Sequence, residues 1–323
     1  MSDQEQAGAQ AGEVIANDEK SKPHVPANKS DVIRSVFSSL ENDAIEGEAS
    51  KRDSIIREYL TNIISSYKIS HDYNILILHD QSSMARSDAD RIYAAITEFN
   101  NNKNLLLVIY SSGGSPGSAY LIGKLCREYC NGKLIAVIPR QAKSAATLLA
   151  CAADEIHMGS LSELGPIDPQ IDGLPALGLK NSIEHIAELV KANPTSSEMF
   201  ARYLNFSLQP IHLGYYERVA ESAMHYAERL LNTHSGGLGQ SADKIAKQLV
   251  YGYKDHGFVI DKGEAVAIFG ENVIKTKTEA YNLGNAIYQE MKFLSMMAEV
   301  MDHTFYYIGS LSSPPVFRRN KEI

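Results

Sequence analysis

The 323-residue chain predicts an α/β protein built round a mostly parallel sheet. Two observations predict it. Four short apolar runs between Asn74 and Gly159 are each bounded by turn residues, and amphipathic helical segments lie between them. Strands that alternate with helices at this spacing make βαβ units, in which the crossover helix returns the chain to a parallel neighbour.

The elements follow in order. Asn74 to His79 reads as a buried strand, because its apolar residues are continuous rather than alternating. Asp88 to Phe99 is an amphipathic helix, and Asn104 to Ser112 is a second strand that runs into Gly113-Gly114. Gly117 to Tyr129 is a helix, Lys133 to Pro139 a third strand, Ala142 to Ala153 a helix of small residues, and Glu155 to Gly159 a fourth strand. Residues 180 to 250 carry helical periodicity rich in Ala, Glu and Leu, and should pack as helices on the sheet. Gly263 to Gly270 is a short helix closed by glycine, followed by a strand at Asn272 to Thr276.

Both ends differ in character. Residues 1 to 30 hold almost no large apolar groups, so burial cannot offset the entropy of ordering them, and a disordered tail is expected. Asp31 to Ser70 is helical by periodicity and forms an arm ahead of a core domain over residues 71 to 277. Thr278 to Asp302 is a long helix whose stripe of Tyr281, Leu283, Ile287, Met291, Leu294 and Met297 suits the core or a subunit contact. The remaining tail, from Pro314 to Ile323, is expected to be flexible.

Composition narrows the function. The formal net charge is −8 and no Lys/Arg stripe occurs, which excludes an electrostatic footprint for nucleic acid. No apolar run reaches the ~18 residues of a membrane span, and no signal-peptide pattern opens the chain. Three cysteines are too few for a disulfide framework and fit a reducing compartment, so the protein is expected in the cytoplasm. Cys126 and Cys130 sit one helical turn apart without a second Cys/His pair, so no metal site is expected.

Two loops carry the chemistry. Ser111 to Gly117 joins a strand to a helix, and its glycines let the backbone turn sharply with N–H groups outward, where they can hold a developing oxyanion. Gln141 to Thr147 also follows a strand, and sets Ser144 at a helix start between small residues. Such a serine is commonly a helix cap, but alanine neighbours also permit close approach by a substrate backbone. Ligands of parallel α/β sheets bind beyond the carboxyl ends of the strands, where both loops fall.

Ser111 to Ala119, Ala142 to Gly159 and Glu163 to Gln170 resemble the serine dehydrogenase proteinase family, a branch of the signal peptide peptidase A and Clp protease-like serine peptidases. A weaker likeness continues from Asp255 to Gly270. The resemblance implies the Clp/crotonase fold, with repeated ββα and βαβ units and added helices. It implies a peptidase acting on peptide or protein substrates without cofactor or metal, and assembled as a homo-oligomer. It implies Ser144 as nucleophile, and an oxyanion hole from the backbone N–H of Gly113 or Gly114 and of Ala145.

A serine nucleophile needs a neighbouring proton acceptor. Clp-type subunits carry a histidine after the nucleophile helix, where this chain reads Pro166-Ile167-Asp168-Pro169, and signal peptide peptidase relatives use a lysine. Three candidates follow, in this order. Lys143 adjoins the nucleophile, although neighbours on a helix point about 100° apart. His256 lies in a loop ahead of the Gly263 to Gly270 helix, in a region where the family carries a histidine, and imidazole suits base chemistry. Lys191 sits on a helix at a lysine spacing loosely like that of the peptidase relatives. Asp168, in a turn before Pro169, could orient a base or bind a partner charge, or serve only to form the turn. A crotonase-type acyl-CoA enzyme and an inactive scaffold share the fold; the serine of "AKSAAT" at the helix start distinguishes a peptidase from the first, and a Ser144 unreactive toward fluorophosphonates would favour the second.

Overall fold

A computed structural model of the chain describes residues 27–41, 47–99, 101, 103–171, 174–207, 210–234 and 236–320. Nearly all of the tail expected over residues 1 to 30 therefore lies outside the described residues. Helices α1 (Lys29–Glu41) and α2 (Glu48–Ser65) come first. The alternating part follows as β1 (Tyr73–Asp80), α3 (Arg86–Thr97), β2 (Asn104–Ser111), α4 (Pro116–Tyr129), β3 (Leu134–Ile138), β4 (Gln141–Ala142), α5 (Ala145–Ala150), β5 (Glu155–Met158) and β6 (Glu163–Leu164). A small hairpin, β7 (Gln170–Ile171) and β8 (Leu174–Pro175), leads to helices α6 (Ala176–Ala192), α7 (Ser197–Ser207), α8 (Pro210–Leu231), α9 (Ala242–Tyr251) and α10 (Lys262–Phe269). The chain closes with β9 (Ile274–Lys275), α11 (Glu279–Val300), β10 (His303–Gly309) and β11 (Val316–Arg319).

The main sheet runs β11-β10-β1-β2-β3-β5-β9, with β4 branching between β2 and β6. From β1 to β9 every pairing is parallel, as the βαβ spacing predicts. The fold is thus α/β with a mostly parallel sheet and added helices. Alternate side chains of the central strands serve opposite layers. Leu76, Leu78, Leu105, Leu107 and Ile109 join a core shared with α3, α4, α5, α8 and α9. Ile75, Ile77, Leu106, Val108, Ile135 and Val137 join a second core under α1, α2 and α11. Burial on both faces explains why these strands read as continuous apolar runs.

In the C-terminal region one reading resolves to its core alternative and another changes. The stripe on α11 is spent inside the chain: Leu283, Ile287, Met291, Leu294 and Met297 are buried against the sheet and α2. The helix lies so close to β3 that a Cβ on Gly284 would come within 2.4 Å of Val137. The tail expected to be flexible instead contains β11, which pairs antiparallel with β10 from His303↔Arg319 to Tyr306↔Val316. β10 in turn extends the sheet antiparallel to β1. Its alternation of buried Phe305 and Tyr307 with less buried Thr304 and Tyr306 is a strand signal, masked in the sequence by the long helix before it.

Candidate active site

The site lies beyond the carboxyl ends of β2 and β3. β2 ends at Ser111, and Gly113 and Gly114 take φ of +107° and +139°, conformations that side chains with a Cβ rarely adopt. The turn is pinned to the segment after β1: Met84 N donates to Gly113 O at 2.8 Å, and Ser115 N donates to Met84 O at 2.9 Å. The Gly113 N–H is already used, donating to Ser111 Oγ at 3.1 Å. The Gly114 N–H has no acceptor among the described residues.

Ser144 stands opposite this turn. Its backbone sits at φ 50° and ψ −117°, outside the ordinary regions for a residue with a Cβ, and its side chain makes no cap bond to α5. Such a conformation costs about 1–3 kcal/mol and persists only where its surroundings hold it. Here Lys143 N donates to Ser111 O at 3.0 Å, Ala146 N to Lys143 O at 2.8 Å, and Thr147 Oγ1 to Ala142 O at 2.6 Å. A Cβ on Gly113 would lie 2.9 Å from the Ser144 Cβ and 3.2 Å from Ala145 N, so only glycine lets the two loops meet. The Ala145 N–H, like that of Gly114, has no acceptor among the described residues. Two open N–H donors therefore flank a half-buried serine whose hydroxyl is not spent on capping.

His256 and Asp168 come together. His256 Nδ1 and Asp168 Oδ1 are 2.6 Å apart, with Asp168 buried and the His256 side chain one-third exposed. Gln170 Nε2 donates to the other carboxylate oxygen at 3.2 Å. Burial raises the Asp168 carboxyl above the usual carboxylate range, and the imidazole beside it acts in the opposite direction. An antiparallel bridge between Leu164 and Ile260 binds the His256 loop to β6, which pairs with β4 ahead of the serine.

The lysines are placed differently. Lys143 Nζ lies 3.3 Å from Glu163 Oε1, donates to Phe258 O at 3.3 Å and reaches Leu164 O at 3.4 Å. Its two hydrogen bonds go to backbone carbonyls and its ion pair to Glu163, and no contact with Ser144 is among them. Lys191 is exposed on α6 and makes no ion pair among the described residues. The strain at Ser144 and the tether from Lys143 to the His256 loop had no signal in the sequence, since both are long-range geometry.

Among the described residues no group of His, Cys, Asp or Glu is arranged to hold a metal, and no helix is long and apolar enough to cross a membrane. All three cysteines are free thiols.

Residues 48–193 match the profile of the ClpP-like SDH-type serine proteinases. Two uncharacterized proteins of Methanocaldococcus jannaschii are 33% identical over 97 residues and 34% identical over 92 residues. These stretches cover 30% and 28% of this chain, and this chain spans about a third of each relative, 34% and 31%. Among solved structures, a serine-to-alanine variant of a membrane-bound stomatin-specific protease is similar with a TM-score of 0.40 and 12% identity, covering 76% of this chain and 93% of that one. A lysine-to-alanine variant of that protease in complex with a substrate peptide gives 0.40 and 13%, covering 77% and 88%. The segment that matches the profile contains the glycine turn, Ser144 and Asp168.

Proposed function

We propose that the protein is a serine peptidase that cleaves peptide bonds through Ser144, with His256 as general base and Asp168 as its orienting carboxylate. The observation that carries this reading is the 2.6 Å contact between His256 Nδ1 and Asp168 Oδ1. A buried carboxylate on Nδ1 fixes the tautomer with the proton there and leaves Nε2 basic, which is the state a serine hydroxyl needs. In the reaction the Ser144 oxygen attacks the substrate carbonyl while Nε2 takes its proton. The N–H groups of Gly114 and Ala145 receive the charge on the tetrahedral oxygen. The imidazolium then returns the proton to the leaving amine, and water hydrolyses the acyl-serine by the same steps in reverse order. Losing one oxyanion donor of this kind typically costs about 3–4 kcal/mol of barrier.

Lys143 and Lys191 have no part in proton transfer in this reading. The free thiols support a reducing compartment, the cytoplasm. Because the stripe on α11 is buried within the chain, a homo-oligomer would use another surface. Replacing Ser144 by alanine tests the function. The variant should fold as the parent does and lose hydrolysis of casein and of a peptide panel. Comparable turnover by the purified variant would overturn the assignment.

A further inference from the structure

We propose that Lys143 is a positioning residue, which sets the spacing between the nucleophile and the His256 loop through the contacts of its ammonium group. The inference rests on the assignment of Ser144 and His256 above, and concerns a residue that touches neither the hydroxyl nor the imidazole. Its backbone N–H donates to Ser111 O and its carbonyl accepts from Ala146 N, so the residue is fixed at the entrance to the strained serine. Its side chain runs the other way. It passes over Gly165, where a Cβ would lie 2.7 Å from Lys143 Cδ, and ends between Glu163 and the carbonyls of Leu164 and Phe258.

Phe258 lies two positions after His256. Lys143 thus holds both parts of the chemistry at once, the serine through its backbone and the base loop through its ammonium. The side chain is largely buried, 16% exposed, so its contacts are shielded from solvent screening. The Phe258 carbonyl receives a charged donor there, and a charge-assisted bond is the stronger kind. The Leu164↔Ile260 bridge joins the same two segments, so the loop is tied at Phe258 and again at Ile260. The glycine at position 165 is an independent sign of the same design, because any larger residue would push the lysine stem out of its channel.

An ammonium has no lone pair, so while it holds Glu163 and the two carbonyls it donates and cannot accept the serine proton. Its loss should loosen the serine-to-imidazole geometry without removing the base. Misplacement by about 1 Å can cost on the order of 100-fold in turnover.

Steady-state hydrolysis by Lys143→Met, Lys143→Arg and Gly165→Ala, beside Ser144→Ala and His256→Ala, tests this across pH. The expected result is a kcat for Lys143→Met lowered ~10- to 100-fold at nearly constant KM, with the shape of the rate–pH profile kept. Lys143→Arg should recover part of that loss, and Gly165→Ala should reproduce it with the lysine still present. Two results would overturn the proposal: turnover unchanged in Lys143→Met, or a loss as complete as in His256→Ala with the profile reshaped, which would make Lys143 the base. Full activity in Ser144→Ala and His256→Ala would instead remove the reading on which the proposal stands. A Lys143→Met variant that fails to fold leaves Gly165→Ala and Lys143→Arg to decide.

Discussion

Asp168 and His256 are separated by 88 positions in the chain, yet their side chains meet at 2.6 Å. Asp168 arrives on the segment after β6, and His256 on the loop ahead of α10. The contact depends on the antiparallel bridge that lays Ile260 against Leu164. If His256 is the base, its replacement by alanine should be as damaging as loss of the serine. Asp168→Asn should lower turnover by roughly 10⁴-fold, because the amide would favour the wrong tautomer. Steady-state rates for both variants check this, and near-parent turnover in either would remove that residue from the mechanism.

The pH dependence follows from the same pair. Burial holds the Asp168 carboxyl above the usual range, so on acidification it takes up a proton earlier than an exposed aspartate would. Its charge-assisted bond to the imidazole is then lost. The rate should fall on the acid side and level off on the alkaline side, as expected of a histidine base, whereas a lysine base gives a rate that keeps rising into the alkaline range. A kcat/KM profile measured across that span distinguishes the two.

Gly113→Ala is expected to be far more costly to turnover than to stability. The added methyl group would fall 2.9 Å from the Ser144 Cβ at a φ of +107°, and would force apart the two loops that carry the proposed oxyanion donors. Rates should drop about 100-fold or more while the melting temperature moves by only a few degrees. Equal losses in both would mean that the turn serves packing alone.

The sheet and the glycine turn were legible in the sequence because each is local. Continuous apolar runs such as Asn74 to His79 announce strands buried on both faces, and Gly113-Gly114 announces a turn of unusual φ. The choice among Lys143, His256 and Lys191 was not legible. It depends on where Lys143 points, and that is decided by Glu163, Gly165 and Phe258, which lie on segments distant in sequence. β10 was missed for a different reason: its alternation is clear, but it follows a 22-residue helix with only Met301 and Asp302 between them.

His79 gives a stability prediction independent of the site. It is 2% exposed at the end of β1, stacked on Tyr110 at 4.8 Å and 3.2 Å from Ser295 Oγ. Burial, with a smaller contribution from the charge of Lys292, lowers its pKa from 6.5 to about 3. The unfolded chain therefore binds a proton there across an interval in which the folded chain does not. Stability from this group is complete above about 6.5 and is lost as the pH falls towards about 3. His79→Phe, which keeps a ring against Tyr110, should flatten the acid limb of urea-unfolding stability by on the order of 1 kcal/mol per pH unit. An unchanged acid limb would show that His79 is not the group being protonated.

The most direct test of Ser144 as nucleophile is labelling of the native full-length protein with a fluorophosphonate probe, followed by peptide mapping of the modified residue. The expected result is a single adduct on Ser144, formed much more slowly in His256→Ala and absent in Ser144→Ala. An adduct on a different residue, or no adduct in a preparation that hydrolyses casein, would contradict the assignment of Ser144.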